Sequence, residues 1–222
     1  MSKTNSAIYI FLPTITKGNY YKLIKQNLAN ILNEFKIFGI VISNISQLEL
    51  FKHIPNHLDF VANYSLNIFN DFSMNSLYNF NFSKVILSPE LSKETINSIN
   101  PIINKELIVY GRTLLMTSEY CPIGSIVGNY PNCSAPCKFD NYKLKDRLGF
   151  EFPIISDNID CTSNIYNSKI ISIKHNNINC SSIRLDFMDE SIEEMNHIIL
   201  CHKQDNRLDG KDYTNGNLNK EI

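Results

Sequence analysis

Short runs of β-favouring residues, at 8–12, 40–43, 60–64, 84–87 and 107–110, are separated along this chain by stretches whose apolar residues recur three or four apart. That alternation predicts parallel strands joined by crossover helices, an α/β fold. The clearest helical stretch is 20–35, where Tyr21, Ile24, Leu28, Ile31 and Phe35 make one apolar face. A second is 191–202, where Ser191 and Glu194 have capping-box spacing and Ile192, Met195 and Ile199 supply the buried stripe. "SPELSKETINSINP" predicts a third that Pro101 ends. Two further strands are expected at 170–173 and 183–187. Between 113 and 168 the alternation lapses into a long insert with few helical signals, and 203–222 is a polar tail.

Composition adds limits. A chain of 222 residues, 43% hydrophobic, suits one domain over 1–222 with a sizeable core. Twenty-one basic and twenty-two acidic residues give a net charge of −1, and no basic stripe forms, so charge does not support RNA as a partner. The run 7–12 is stopped by Pro13 and lacks a basic lead, so it reads as a first strand and not as a signal peptide. No apolar run has the length to span a bilayer. A cytoplasmic protein without membrane contact is the expectation, and in a reducing compartment its six cysteines are thiols, metal ligands or catalytic groups sooner than disulfides.

Four of those cysteines fall in the insert: Cys121, Cys133, Cys137 and Cys161. Thiolates are soft ligands, and four of them suit either tetrahedral zinc or an iron-sulfur cluster. In "CSAPC" Pro136 keeps the backbone from forming a helix, while Gly124 and Gly128 permit a tight path. The spacing matches neither a zinc ribbon nor a compact ferredoxin, so it leaves metal, buried free thiols and reactive thiols all open. Cys180 and Cys201 read as small buried hydrophobes.

In open α/β sheets and βα barrels, ligands bind at the carboxyl ends of strands, which makes Asn44, Asn67, Glu90, Arg112 and Asp186 candidate contacts. Asn67, Glu90 and Arg112 are taken as the substrate-binding candidates. Helix capping and turn formation are the competing reading for each. No nucleophile elbow, HExxH motif or Gly-rich phosphate loop is present, and catalytic residues stay unknown.

"ELIVYGRTLLMTSEYCPIG", then "APC", then "YKLKDRLGFEFPIISDNIDC" and "IYNS" are similar in order and wording to the collagenase-like peptidase family U32. The flanking "YIFLPTI", "NYSLNIFN", "VILSPELS" and "IRLDFMDES" resemble family segments too. The resemblance implies a TIM-barrel-like fold with a cysteine-rich insert. It also implies a 4Fe-4S cluster on Cys121, Cys133, Cys137 and Cys161, and oxygen-independent hydroxylation of a quinone precursor or of RNA bases. Two alternatives stand beside it: a collagenase-like protease, and a non-catalytic subunit that completes a partner's barrel and holds structural zinc. Leu114 stands where collagenase-like members carry a further cysteine. A barrel needs eight βα units, and seven strand candidates here make about five convincing pairs. The chain therefore resembles the later part of the family domain, and three readings stand: closure with a partner chain that supplies the missing units, an incomplete barrel, or a fragment of a longer product.

Overall fold

The computed structural model describes residues 6–53, 57–100 and 102–219. They divide into two compact units, one drawn from Met1–Ile108, His175–Arg184 and Gly216–Ile222, the other from Val109–Lys174 and Leu185–Asn215.

In the first unit, strands β1 (Ile8–Phe11), β2 (Ile37–Ile42), β3 (Asp59–Ala62), β4 (Phe82–Ile86) and the start of β5 (Asn104–Ser118) lie in sequential order. Every neighbouring pair is parallel. This is the pairing that successive βα units make, and it bears out the α/β class. Helix α1 (Gly18–Glu34) fills the first crossover, within two residues of the expected bounds, and its Leu28 is buried. Val41, Val61, Ile86 and Ile108 of β2 to β5 form a core, with Tyr9 and Tyr64 packed on it.

Helix α2 (Asp71–Tyr78) has no counterpart among the expected helices. It starts where the Asn70 side chain accepts from the Ser73 N–H at 3.0 Å, and it buries Met74 and Leu77. Helix α3 (Lys93–Ser98) begins with Ser92 accepting from the Thr95 N–H at 3.2 Å. Pro101, expected to end it, lies outside the described residues. Within the described residues the end of α3 is finished by other groups. The buried Lys105 ammonium donates to the Ile96 and Ile99 carbonyls, each at 2.8 Å, and the Asn100 N–H donates to Asp71 at 2.9 Å.

The second unit contains the insert, and its sheet is antiparallel. The later part of β5 pairs with β8 (Ser163–Ser172), β8 with β7 (Glu151–Ser156), and β7 with β6 (Tyr142–Lys145). Ile154 and Ile165, facing residues of β7 and β8, join Ile123 in a second core. The two strands expected at 107–110 and 170–173 are thus parts of much longer ones. Helix α5 (Ile192–Lys203) carries the expected capping box, with Ser191 accepting from the Glu194 N–H and the Glu194 carboxylate accepting from the Ser191 N–H. The polar tail is anchored by structure of its own: β10 (Tyr213–Thr214) runs parallel to β8, and the Leu208 N–H donates to Ser172 at 2.8 Å. Strand β9 (Ser182–Leu185) pairs with β5.

Candidate metal centre

Beyond Ser118, where β5 ends, the chain turns at Cys121, which caps the short helix α4 (Pro122–Ile126). The cap is the thiol itself: Cys121 Sγ accepts from the Gly124 N–H at 3.3 Å. Ile123 is buried against Ile154 and Ile165, and the flanks of Cys121 and Cys137 pack on the same three residues. Antiparallel sheet and cysteine loop thus share one core.

The path back to Cys133 is tight. A Cβ at Gly128 would stand 2.6 Å from Cys133 Sγ and 2.9 Å from Gly124 Cα, so only glycine fits there. Cys133 Sγ accepts from the Ala135 N–H at 3.3 Å. Ala135 takes the left-handed conformation (φ 53°), and Pro136 opens the 3-10 turn that carries Cys137. The point where a Gly124 Cβ would sit is 3.5 Å from Cys133 Sγ and 3.6 Å from Cys121 Sγ, so the bare glycine leaves a space between two sulfurs.

Cys161 comes from the loop joining β7 to β8. Asp157 closes that loop with one carboxylate, accepting from the N–H groups of Ile159 (2.7 Å), Asp160 (3.2 Å) and Thr162 (3.1 Å) and from the Thr162 hydroxyl (2.7 Å). At its apex Cys161 is left-handed (φ 57°). Burial raises the pKa of Asp157, but the Thr162 hydroxyl and the three N–H donors outweigh it and hold the carboxyl below its usual range. A depressed carboxylate stabilises the fold above its unfolded pKa, and this contribution is lost as pH falls through the folded value. We expect the second unit of wild-type protein to lose stability below about pH 4, and Asp157→Asn to be weakened at pH 7 and less sensitive to acid over that range. Urea unfolding followed between pH 3 and 7 checks this, and identical pH slopes for the two proteins would refute it.

Cys121, Cys133, Cys137 and Cys161 line one cavity of about 290 Å³, together with Tyr120, Tyr130, Pro136 and Asp157. Cys121 and Cys137 are half-buried, Cys133 and Cys161 exposed. Among the described residues, no three His, Cys, Asp or Glu groups are close enough together to hold a single metal ion. Burial also raises the Cys121 thiol, but the Gly124 N–H, the Ser163 and Ser156 hydroxyls and the Ile123 N–H bring it below the ordinary thiol value. Cys137 and Cys161 are raised, first by burial and then by the sulfurs of Cys121 and Cys133.

The other candidates are placed as follows. Asn44 caps a 3-10 turn through a reciprocal contact with Gln47. Asn67 is exposed and left-handed (φ 55°), ending another 3-10 turn, and Glu90 is exposed with its N–H donating to Ser88 at 3.3 Å. All three follow parallel strands of the first unit at their carboxyl ends. Arg112 belongs to the second unit, where it donates to the carbonyls of Asn167 (2.9 Å) and Ser168 (2.6 Å). The Asp186 N–H donates to the Tyr110 carbonyl at 2.8 Å. Cys180 precedes β9 and Cys201 lies on α5, each half-buried. Sequence reasoning missed Asp157, Ser156 and Ser163. "ISDNIDCTS" holds them all within a few residues of Cys161, but only strand register brings the serines to Cys121.

No helix among the described residues is long and apolar enough to cross a membrane. No curated protein and no solved structure matches the chain. The model of peptidase family U32 matches residues 1–202, nearly the whole chain, and on that ground the chain belongs to peptidase family U32.

Proposed function

We propose that this family U32 chain binds a 4Fe-4S cluster through Cys121, Cys133, Cys137 and Cys161 and acts in oxygen-independent hydroxylation, of a quinone precursor or of RNA bases. The observation that carries the reading is that four of the six cysteines line a single cavity. Zinc would draw four sulfurs to about 2.3 Å from one point. Among the described residues no such close group is formed, and the reading rests on the four cysteines sharing one cavity. When bound, such a cluster supplies one-electron transfer.

The chain's own groups would do the rest. The Gly124 N–H faces the Cys121 sulfur and favours its ionised, ligating form, and the Ala135 N–H faces the Cys133 sulfur. Asp157 holds Cys161 at the cavity, which Tyr120, Tyr130 and Pro136 also line. In this reading the parallel unit is part of a TIM-barrel-like (βα)n fold, incomplete in this chain, with a partner chain contributing further units. A thiol-protease reading would need an imidazole beside Cys121, and the described residues lining the cavity include no histidine.

Protein purified without oxygen is expected to be brown, with iron and sulfide in equal amounts and a broad visible absorption. Cys161→Ala should lose most of the iron while the parallel unit stays folded. Colourless, iron-free wild-type protein with intact thiols would overturn the assignment.

A further inference from the structure

Three serines stand in one row across the antiparallel sheet beneath the cysteine loop. Ser118 of β5 is the register partner of Ser163 of β8, and Ser163 is the partner of Ser156 of β7. Ser163 is fully buried, and its hydroxyl lies 2.6 Å from that of Ser156. Ser156 Oγ in turn lies 3.7 Å from Cys121 Sγ, within reach of a hydrogen bond to sulfur. Ser118 is engaged elsewhere, accepting from the Tyr120 N–H at 3.0 Å. A sheet position that only needed filling would not call for two hydroxyls in contact at the foot of a cysteine.

The direction of the bonds depends on the state of the sulfur. A Cys121 thiol donates its proton to Ser156. A thiolate that ligates metal has no proton, so the chain must reverse: Ser156 donates to sulfur and Ser163 donates to Ser156. Each bond polarises the next, so the buried Ser163 strengthens the donation that Ser156 makes.

From this geometry we infer that Ser156 and Ser163 are positioning residues that set the reduction potential of the centre through Cys121. This rests on the cluster reading above. Hydrogen bonds to ligand sulfur withdraw charge and favour the reduced, more negative state of a cluster, which raises its potential. Cys121 is the ligand on which these hydroxyls converge, and the Gly124 N–H meets the same sulfur. Both hydroxyls act on the Cys121 sulfur, and Ser163 also meets Ser156.

Anaerobic potentiometric titration of the iron-loaded chain, followed by visible absorption, tests this. Ser156→Ala should shift the midpoint to a more negative potential, and Ser156→Thr, which keeps the hydroxyl, should restore it. Ser163→Ala should move it the same way. Should Ser163→Ala fail to fold, Ser156→Ala and Ser156→Thr still decide the matter. Iron-loaded Ser156→Ala with an unmoved midpoint would overturn the inference and leave the cluster assignment standing. A wild-type chain that binds no iron would overturn both.

Discussion

Gly128→Ala is expected to abolish iron binding and to weaken the second unit by about 3 kcal/mol, the upper end of what overpacking costs. The added methyl would meet Cys133 Sγ at 2.6 Å and the Gly124 backbone at 2.9 and 3.1 Å. Cys133 is exposed and could swing away, but only by leaving the cavity. The backbone at 124 is harder to move, because Ile123 pins α4 into the core. Gly124→Ala is the control that makes the test sharp. Its methyl meets the two sulfurs at 3.5 and 3.6 Å, ordinary contact, and alanine in a helix is better than glycine by roughly 1 kcal/mol. Stability should therefore hold while iron is lost, because the methyl takes the space between Cys121 and Cys133. Urea midpoints and iron analysis on both variants check this. Full iron loading of Gly124→Ala would place the centre elsewhere.

Lys105→Met is expected to cost about 3 kcal/mol in the first unit, the loss of charge-assisted hydrogen bonds partly offset by no longer burying an ammonium group. Methionine matches the stem in volume, so the loss isolates the donor. In a longer helix the Ile96 carbonyl would accept from the Asn100 N–H, but that N–H is given to Asp71. Without Lys105 the Ile96 and Ile99 carbonyls lose the donor that ends α3. Burial lowers the pKa of Lys105, so between its folded value and the ordinary lysine value the unfolded chain binds more protons. Wild-type stability should rise with pH through that window. In Lys105→Met this rise should vanish. Denaturation midpoints measured from pH 7 to 10 check both points, and a variant as stable as wild type would refute them.

What could be read from sequence was local. The apolar face of α1, the Ser191–Glu194 box and the β-branched strand runs each carry their signal within a few residues, and those elements appear where expected. The stripe expected on α5 does not hold, since Ile192 is exposed and Ile198 and His202 are the buried residues. Helix α2 was hidden because Ser73, not Glu or Gln, completes its box and its apolar stripe is only Met74 and Leu77. The hairpin of β6 and β7 was hidden by Lys143, Lys145 and Pro153, residues that argue against a strand. Pro153 is tolerated because β7 joins β8 only from Ile154 onward. Four cysteines could be named from composition and family wording, whereas the hydroxyls under Cys121 depend on register between distant strands. No one-dimensional pattern carries that.

The thread that leaves the first unit at Ile108 and returns at His175 also sets an order in time. During synthesis β1 to β5 emerge first, yet Lys105 and Glu106 wait for Ser181 and Ser182, and the Lys93 N–H waits for the Leu218 carbonyl. At 5–20 residues per second, that leaves the early sheet several seconds without its last partners. The antiparallel unit emerges in that interval. On the ribosome, the cysteine loop would be complete before the sheet that precedes it has been closed.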